Sequence, residues 1–414
     1  MNQQPRGRHL VSADRVFATG GGWLARLGSE GFHRLLDRID AGLEEGGIDA
    51  TLPDGTHRLL GGRRPGPLPV VHLRSWRALV RLATSGSVGW YKAWAAGEWW
   101  SPDPVPLFDL FMRNGESLGD AARAKGVFRL ANRIAHALRR NDRARARRNI
   151  AFHYDLGNDF YAAWLDPTMT YSSAVFGGFE EPLEIAQARK NRLLLDRLAL
   201  TPGQRLLEIG CGWGGLMEQA AREHGAVVTG LTLSAAQADF ARARLAGLGA
   251  EVRIEDYRDA RGQYDAIASV EMAEAVGQDY WAAYLQAIAR LLKPGGRAAL
   301  QFISIRSALF GRYAASADFI QAYVFPGGML LEEERFRGLA KAAGLGWQDR
   351  VGYGLHYAET LKRWTNNYDR AVAAGTLAGF DERFHDLWRY YLMYCEGGFR
   401  GQGIDVAQVT LVKS

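Results

Sequence analysis

Residues 206–221, LLEIGCGWGGLMEQAA, combine an acid with a cluster of glycines that could bind a ligand. Glu208, Gly210, Gly212 and Gly214 form the pattern ExGxGxG where a predicted strand ends and a predicted helix follows. Glycines at such a position let the backbone approach a ligand closely. The spacing also fits the fingerprint of dinucleotide-binding proteins, so this stretch alone does not identify the ligand.

The residues that follow the next predicted strands distinguish between the ligands that this glycine-rich stretch could bind. A nicotinamide-binding protein needs an acid after its second strand to bind the ribose hydroxyls. Here that strand ends in GLTLSAAQ, with Thr232, Ser234 and Gln237, and EDYRD after the third strand could place Asp256 and Tyr257 against an adenine. The fifth strand follows LLKPGGR, a turn common in S-adenosylmethionine-dependent methyltransferases. Together these features favour a methyl donor over a hydride carrier.

A third stretch, PTMTYSSAVF at residues 167–176, contains Tyr171, Ser172 and Ser173 but no acid, base or cysteine. It is either a reactive loop without a nucleophile or a loop that holds a ligand while chemistry takes place elsewhere. What the rest of the chain binds decides between the two.

The elements that must position these residues alternate between strand and helix. The short apolar runs typical of strands are QRLLEIG, AVVTGLTL, AEVRIED, YDAIASVEM and RAALQFIS. Helical stretches such as GLMEQAAREHG and SAAQADFARARLAGLG separate them. The pattern predicts an α/β fold with a mainly parallel sheet and helices on both faces. In such a sheet, ligands bind beyond the carboxyl ends of the strands.

An aromatic tract, GSVGWYKAWAAGEWW, precedes this region and contains Trp90, Trp94, Trp99 and Trp100. Tryptophan suits places that are apolar on one side and wet on the other. The tract therefore predicts either the core of a small domain or an interfacial surface.

A basic segment at residues 123–148 carries ten basic residues against one acid, Asp142. It predicts a solvated helix, or a surface for anionic lipid headgroups or nucleic acid, since each basic residue near an anionic membrane contributes roughly 1 kcal/mol. The charge of this segment alone does not decide between a solvated helix, a lipid-binding surface and a nucleic-acid-binding surface. The basic residues are Arg123, Lys125, Arg129, Arg133, Arg139, Arg140, Arg143, Arg145, Arg147 and Arg148.

The composition narrows the protein class. A chain of 414 residues predicts about two domains, and 47% apolar with 23% charged residues is typical of a soluble protein. No window reaches the roughly 18 apolar residues of a membrane-spanning helix, and MNQQPRGRHLV lacks the apolar stretch of a signal peptide. A cytoplasmic location is therefore expected. The two cysteines, Cys211 and Cys395, suggest neither a disulfide framework nor a zinc site.

In combination, these motifs resemble the cyclopropane fatty-acyl-phospholipid synthases and their relatives that modify unsaturated acyl chains. The resemblance runs from about residue 86 to the C-terminus, and the order of its motifs is specific although each motif alone is weak. It implies a Rossmann-like class I methyltransferase with a mainly parallel seven-stranded sheet, plus a smaller N-terminal α+β domain. The motifs are GSVGWYKAWAAGEWW, HYDLGNDFY, LDPTMTYSSAVF, EIGCGWGG, GLTLSAAQ, DYRD, EMAEAVG, FPGG and YYLMYCEGGFR.

The resemblance implies S-adenosylmethionine as the donor and gives each stretch a contact with it. The donor is a sulfonium cation, which an electron-rich tyrosine face can stabilise. The loop with the adjacent serines would then hold the donor and need no nucleophile. The implied contacts are Tyr171 and Ser172 with the methionine end, residues 207–215 with the backbone and ribose, residues 232–237 with the ribose, and Asp256 with Tyr257 with the adenine.

The resemblance also implies a base site. In the related synthases the base is thought to be a bound bicarbonate, held by a cysteine, a glutamate, a histidine, a backbone group and a tyrosine. Glu274 and Tyr357 match the glutamate and the tyrosine, and the backbone group falls near Ile303. Ser173 and Gln301 stand where the family has its cysteine and histidine. Both can donate hydrogen bonds to an anion, but neither shares a proton with it as histidine does.

Cys395, in YYLMYCEGGFR, matches a cysteine that was once attractive as a nucleophile in the family. Its neighbours Tyr391, Tyr394 and Phe399 fit a buried apolar residue equally well. Alkene methylation also needs no protein nucleophile. Both interpretations stay open.

The predicted activity is methylation of the double bond of an unsaturated acyl chain in a membrane phospholipid. The enzyme would supply positioning and a dry apolar channel, and methyl transfer would leave a carbocation. Proton loss from the transferred methyl gives a cyclopropane, and loss from the neighbouring chain carbon gives a methyl-branched or methylene-bearing chain. The altered base site favours the second outcome. The alternatives are a nucleic-acid methyltransferase that uses the basic segment and an inactive lipid-binding relative.

The predicted organisation has three parts: residues 1–122 as a lipid- and membrane-docking domain, residues 123–150 as a basic helical linker, and residues 151–414 as the methyltransferase domain. The expected partners are unsaturated phospholipid acyl chains and an anionic membrane surface, without nucleic acid. This places the protein on the inner membrane face as a peripheral protein. Bicarbonate binding and a homodimer are left open.

Overall fold

The computed structural model describes residues 6–11, 29–119, 156–315 and 318–414. The basic segment and the predicted linker at residues 123–150 lie outside the described residues, so both stay predictions. Contacts between Cα atoms divide the chain into two compact units. The first unit is Met1–Arg140, Ala308–Pro326 and Ala378–Ile404, and the second is Asn141–Ser307, Gly327–Leu377 and Asp405–Ser414.

Helices and strands follow one another closely along the described chain. Before residue 120 they are α1 (Arg8–Val11), α2 (Ser29–Gly42), β1 (Gly47–Thr51), β2 (His57–Gly61), β3 (Val70–Leu73), α3 (Arg77–Ala95), β4 (Trp99–Trp100) and α4 (Val105–Arg113). From residue 156 to 305 they are α5 (Asn158–Ala162), α6 (Leu183–Asp196), β5 (Arg205–Ile209), α7 (Gly215–His224), β6 (Val227–Thr232), α8 (Ala235–Arg244), β7 (Ala250–Ile254), β8 (Tyr264–Val270), α9 (Ala273–Val276), a 3₁₀ turn (Gln278–Tyr280), α10 (Trp281–Leu291) and β9 (Leu292–Ile305). The remainder are α11 (Ser307–Ala314), α12 (Phe319–Tyr323), α13 (Glu333–Ala342), β10 (Leu345–Gly352), α14 (Gly354–Ala373), α15 (Glu382–Arg400) and β11 (Ile404–Lys413).

The first unit contains a four-stranded sheet in the order β2-β1-β3-β4. β1 pairs antiparallel with β2 and parallel with β3, and β3 pairs antiparallel with β4. Alternate residues of each strand face opposite sides of a sheet. One side is buried, with Ala50, Leu60, Val71 and Trp99, and the other carries the exposed side chains. This mixed sheet with its helices confirms the smaller α+β domain.

The aromatic tract divides between core and surface. Trp90 and Trp99 are buried and stack with ring centroids 4.5 Å apart, which fits the core interpretation. Trp100 is 43% exposed and stacks on His72 at 5.0 Å. The neighbouring tryptophans Trp99 and Trp100 therefore face opposite sides of the same sheet.

The unit boundaries differ from the predicted ones, because two later segments join the N-terminal part. The physical reason is aromatic packing on α15. Its residue Tyr390 lies 5.0 Å from Tyr91, 5.2 Å from Trp94 and 5.3 Å from Phe108, measured between ring centroids. Aromatic pairs of this kind bury large areas. The segment at residues 378–404 is thus a structural part of the first unit.

The second unit contains a seven-stranded sheet in the order β10-β11-β9-β8-β5-β6-β7. β5 pairs parallel with β6 and β8, β6 with β7, and β8 with β9, whereas β10 and β11 are antiparallel. The mainly parallel sheet is confirmed, together with the five strands that the apolar runs predicted. The LLKPGGR stretch lies largely within β9, where the register against β8 shifts between Tyr264 and Ala266.

The order of the strands in the seven-stranded sheet indicates where a ligand is expected to bind. After β7 the chain crosses from one side of β5 to the other to form β8. In open α/β sheets, ligands bind beyond the carboxyl ends of the strands at this switch point. The ends of β5 and β8 are therefore where a site is expected. Within the part of the chain that the structure describes, no helix is long and apolar enough to cross a membrane.

Candidate active site

A glycine turn connects β5 to α7. Gly210 and Gly212 have φ angles of +85° and +51°, which side chains rarely adopt. A Cβ atom on Gly210 would lie 2.3 Å from Met272 Cγ, so the turn packs tightly there. A Cβ atom on Gly212 would meet nothing within 4 Å. The backbone at Gly212 therefore borders open space that a ligand can enter.

Glu208 lies at the same end of β5. The residue is buried, and its Oε2 has no hydrogen-bond partner among the described residues. Burial raises the pKa of this carboxyl to about 8, although the positive charge of Lys190 opposes the shift. A buried polar atom without a partner is rare in folded proteins and suits a polar ligand nearby.

The side chains predicted to bind the ribose hydrogen-bond to one another. Thr232 Oγ1 donates to Gln237 Oε1 at 2.9 Å, and the Gln237 backbone N donates to Ser234 Oγ at 3.3 Å. Ser234 is thereby the N-cap of α8. These residues shape the turn between β6 and α8, and their ribose contact stays a prediction.

The predicted adenine pair follows β7. Asp256 is buried and forms an ion pair of 2.6 Å with Arg258. The Tyr257 ring packs edge-on against Tyr284 at 5.3 Å, and its hydroxyl lacks a hydrogen-bond partner within the described ranges. Burial raises the pKa of Tyr257 to about 12, so the hydroxyl is a neutral donor. The pair thus offers an aromatic wall and an unused hydroxyl.

Tyr171 belongs to a group of aromatic side chains. Its ring centroid lies 5.5 Å from Tyr161, 5.5 Å from Trp164 and 5.4 Å from Trp364. Trp213, from the glycine turn, lies 5.1 Å from Tyr161. Such electron-rich faces attract cations. We call these five residues the aromatic group; Tyr171 was predicted as a site residue, and Trp213 lies within the predicted donor contact at residues 207–215.

Ser172 is buried and ties the loop to α6. Its Oγ accepts a hydrogen bond of 2.9 Å from Lys190 Nζ, and its carbonyl accepts one of 2.8 Å from Gln187 Nε2. Lys190 is only 1% exposed, and burial lowers its pKa to about 8. The sequence did not single out Lys190. Ser172 positions the loop, and its predicted contact with the donor stays a prediction.

Glu271, which was not predicted, organises the second half of the site. It follows β8 directly and is surrounded by protein. Its Oε1 accepts hydrogen bonds of 2.8 Å each from Ser173 N and Gln301 Nε2. Its Oε2 accepts one of 2.8 Å from Tyr357 Oη. Three residues predicted to hold an external anion thus converge on a carboxylate of the chain.

Ser173 contacts this carboxylate in a way that differs from the prediction. Its hydroxyl donates to Ala174 O at 3.0 Å, so the backbone N–H is the group that contacts Glu271. Gln301 Oε1 accepts a hydrogen bond of 3.0 Å from Gln408 Nε2. That bond turns the Gln301 amide so that its Nε2 faces Glu271.

Glu274 lies on α9, close enough to Glu271 for the two charges to interact. Its Oε1 accepts a hydrogen bond from Ile303 N, and its Oε2 has no hydrogen-bond partner in the described parts of the chain. Burial raises the pKa of Glu274 to about 8, and the negative charge of Glu271 adds to the shift. Ionisation of Glu271 therefore disfavours ionisation of Glu274.

Cys395 lies on α15 in the first unit. The surrounding protein raises the pKa of its thiol, and the nearby Asp318 carboxylate adds to the effect. A neutral thiol is a poor nucleophile. Cys395 is partly exposed, and its role stays a prediction.

Comparisons with known proteins show what the whole chain is similar to. The sequence model described as mycolic acid cyclopropane synthetase matches residues 141–409. Tuberculostearic acid methyltransferase UfaA1 of Mycobacterium tuberculosis is 38% identical over 356 residues, which are 80% of this chain and 80% of that protein. The cyclopropane-fatty-acyl-phospholipid synthase of Escherichia coli K12 is 34% identical over 337 residues, 80% of this chain and 84% of that protein.

A solved structure agrees as well. The mycolic acid cyclopropane synthase CmaA1, complexed with SAH and CTAB, aligns with a TM-score of 0.61 and 32% identity. The alignment covers 64% of this chain and 98% of that chain. The chain therefore belongs to the mycolic acid cyclopropane synthetase family, and it is a class I S-adenosylmethionine-dependent methyltransferase.

Proposed function

We propose that this protein methylates the double bond of unsaturated acyl chains in membrane phospholipids. One observation carries the proposal: the aromatic group and the buried carboxylate are joined through a single helix. On α14, Trp364 lies 5.4 Å from Tyr171 and 6.0 Å from Tyr357, and the Tyr357 hydroxyl donates to Glu271. Aromatic rings that can stabilise a cation therefore lie next to a carboxylate that can accept a proton.

The residues present fit S-adenosylmethionine. The open space at Gly212 admits a ligand beside the glycine turn, and Glu208 and Tyr257 each have a polar atom without a described partner. The aromatic group supplies faces for a sulfonium. When bound, S-adenosylmethionine supplies the methyl group, and its transfer to an alkene leaves a carbocation on the acyl chain.

The chain's own residues then have two tasks. Tyr357 and Trp364 present aromatic faces that stabilise positive charge. Glu271 and Glu274 provide a buried carboxyl pair that can remove a proton. Both tasks need a site that excludes water, because water would capture the carbocation. The names of two related proteins support an acyl chain as the substrate. These proteins are called tuberculostearic acid methyltransferase and cyclopropane-fatty-acyl-phospholipid synthase.

The position of proton removal sets the product. Loss of a proton from the transferred methyl closes a cyclopropane ring. A hydride shift before that loss gives a methylene group, and loss from a neighbouring chain carbon gives a methyl-branched alkene. We favour a methylene or methyl-branched product, because Ser173 and Gln301 replace the cysteine and histidine expected in ring-forming relatives.

The test is incubation of the protein with S-adenosylmethionine and a phospholipid that carries monounsaturated chains. Mass spectrometry should show a gain of one CH₂ unit, and proton NMR distinguishes ring protons from a methylene group. Absence of any modified acyl chain, with donor still bound, would overturn the proposal. Methylation of added RNA instead would favour the nucleic-acid alternative.

We further propose that the first unit docks on the cytoplasmic face of an anionic membrane. One side of its sheet exposes Leu59, Val70 and Trp100, at 59%, 37% and 43%. The strand register aligns Leu59 with Asp49 and Val70, and His72 with Trp100. Exposed apolar side chains that share one sheet face are typical of an interaction site.

Vesicle flotation tests the docking proposal. The double variant Leu59→Ser, Trp100→Ser should bind vesicles of equimolar phosphatidylglycerol and phosphatidylcholine about tenfold more weakly, since each exposed apolar side chain contributes on the order of 1 kcal/mol. Ile185→Ser removes an equally exposed side chain from α6 and is the matched control. Equal binding by the double variant and the control would overturn the assignment.

A further inference from the structure

We propose that Glu271 is the base of this reaction, and that its carboxylate takes the place of the bicarbonate that the family resemblance implies. The inference rests on the proposed function, because it names the group that removes the proton from the carbocation. It also makes a separate claim about binding, namely that no external anion occupies this site.

The hydrogen-bond donors carry the inference. Ser173 N, Gln301 Nε2 and Tyr357 Oη each donate to Glu271 at 2.8 Å. The remaining donor of the implied anion site, Ile303 N, donates to Glu274. The protein's own carboxylates therefore engage each of these donors. A bicarbonate would have to displace them before it could bind.

Charge argues in the same direction. Glu271 and Glu274 are half-buried and lie close together, and the negative charge of Glu271 already disfavours ionisation of Glu274. Lys190 is the nearby cation, and it interacts with Glu271, Glu208 and Asp166. A bicarbonate would add another anion to this buried group without adding a cation. Like charges in a low-dielectric site repel strongly.

The backbone of Glu271 is unusual as well. Its φ angle is +51°, in the left-handed region that favours glycine. Its N–H donates to Gln301 O at 2.7 Å, which fixes this conformation against β9. Backbone strain of this kind concentrates at functional sites. Here it aims a carboxylate at three donors that could otherwise donate to an external anion.

The chemical step needs only this carboxylate. Either a C–H bond of the transferred methyl group breaks and its electron pair closes the ring onto the cationic carbon, or a C–H bond on a carbon next to the cation breaks and its electron pair forms a double bond. The proton passes to Glu271 Oε2, which accepts a single described hydrogen bond, from Tyr357. Glu271 is then neutral and must lose the proton to solvent before the next turnover. The balance requires no oxidant, reductant or further reactant.

Two variants separate the parts of the proposal. Glu271→Gln keeps the shape of the side chain but cannot accept the proton, so product formation should fall about 10²- to 10⁴-fold. Glu271→Gly suits the positive φ angle and frees the three donors. Its activity should be low in bicarbonate-free buffer and rise saturably when bicarbonate or formate is added. Glu334→Gln, an exposed glutamate on α13, is the matched control and should behave as wild type.

Binding of ¹³C-bicarbonate, followed by NMR line broadening, gives a readout that does not depend on activity. Glu271→Gly should bind the anion and the wild-type protein should not. Binding to the wild type, or absence of binding to Glu271→Gly, would overturn the replacement of bicarbonate by Glu271. Full activity of Glu271→Gln would overturn its role as the base. If the wild type modifies no acyl chain, the proposed function fails, and the binding comparison still decides whether Glu271 fills the anion site.

Discussion

The candidate site has two halves, a donor half and a base half, which use different chemical groups. The donor half consists of a glycine turn and the aromatic group, so it relies on backbone shape and electron-rich faces. The base half consists of the half-buried carboxyls of Glu271 and Glu274, held by amide and hydroxyl donors. A cation can be bound without a nearby acid, whereas proton removal needs a base. Substitutions that change shape should therefore affect the donor half, and substitutions that change charge should affect the base half.

Gly210→Ala should have the largest effect on the donor half. The new Cβ atom would lie 2.3 Å from Met272 Cγ at a φ angle of +85°. Strain and overpacking together predict a loss of about 2–4 kcal/mol in the free energy of unfolding. Chemical denaturation measures this loss. Gly212→Ala is the matched control, because its Cβ atom would meet open space; it should be less destabilising but still weaken donor binding. Equal stability of the two variants would contradict the packing at Gly210.

Glu274→Gln should change how the stability of the base half depends on pH. The pKa of Glu274 is raised from 4.5 to about 8 in the folded state, so the folded protein binds more protons than the unfolded chain between these values. Its contribution to stability is thus present at low pH and is lost as the pH rises towards 8, by up to about 1.4 kcal/mol per pH unit. Denaturation midpoints of wild type and variant, compared from pH 5 to 8, measure the difference. A difference that does not vary with pH would show that Glu274 is ionised throughout this range.

Tyr171→Leu should weaken binding of the cationic donor by about 0.5–2 kcal/mol, or roughly 2- to 30-fold, because an aromatic face is lost. S-adenosylhomocysteine is neutral at sulfur, so its affinity should fall much less. Calorimetry with both ligands measures the contrast, and Tyr171→Phe, which retains the ring, should behave like wild type. An equal loss for both ligands would show that Tyr171 acts through shape alone.

Ser234→Ala should have the smallest effect, a loss of about 1 kcal/mol in stability from removal of the N-cap of α8. Thermal unfolding measures this loss. If Ser234 also binds the ribose, donor affinity should fall as well, whereas Ser234→Asp would retain the cap. Unchanged donor affinity in the alanine variant would leave Ser234 with the capping role alone.

The two halves of the site differ in how much the sequence alone can indicate, for a physical reason. The glycine turn and the serine-rich loop are continuous stretches of sequence. The types and spacing of their residues already indicate a ligand-binding site. The role of Glu271 depends on partners at positions 173, 301 and 357, which only the folded sheet and α14 bring together. SVEMAEAVG shows two glutamates just after a strand, but only Glu274 matched the family pattern. The unit boundaries escaped prediction likewise, because they depend on distant aromatic contacts of Tyr390.

Gln408 connects the base site to β11, the strand between β9 and β10. It lies on β11 and contacts Gln301 on β9 and the carbonyl of Lys190 on α6. β11 sits between β9 and β10, although it follows both along the chain. β10 is therefore connected to the rest of the sheet only through β11. The base site therefore depends on a strand more than 100 residues further along the chain, because Gln408 orients the Gln301 amide that donates to Glu271.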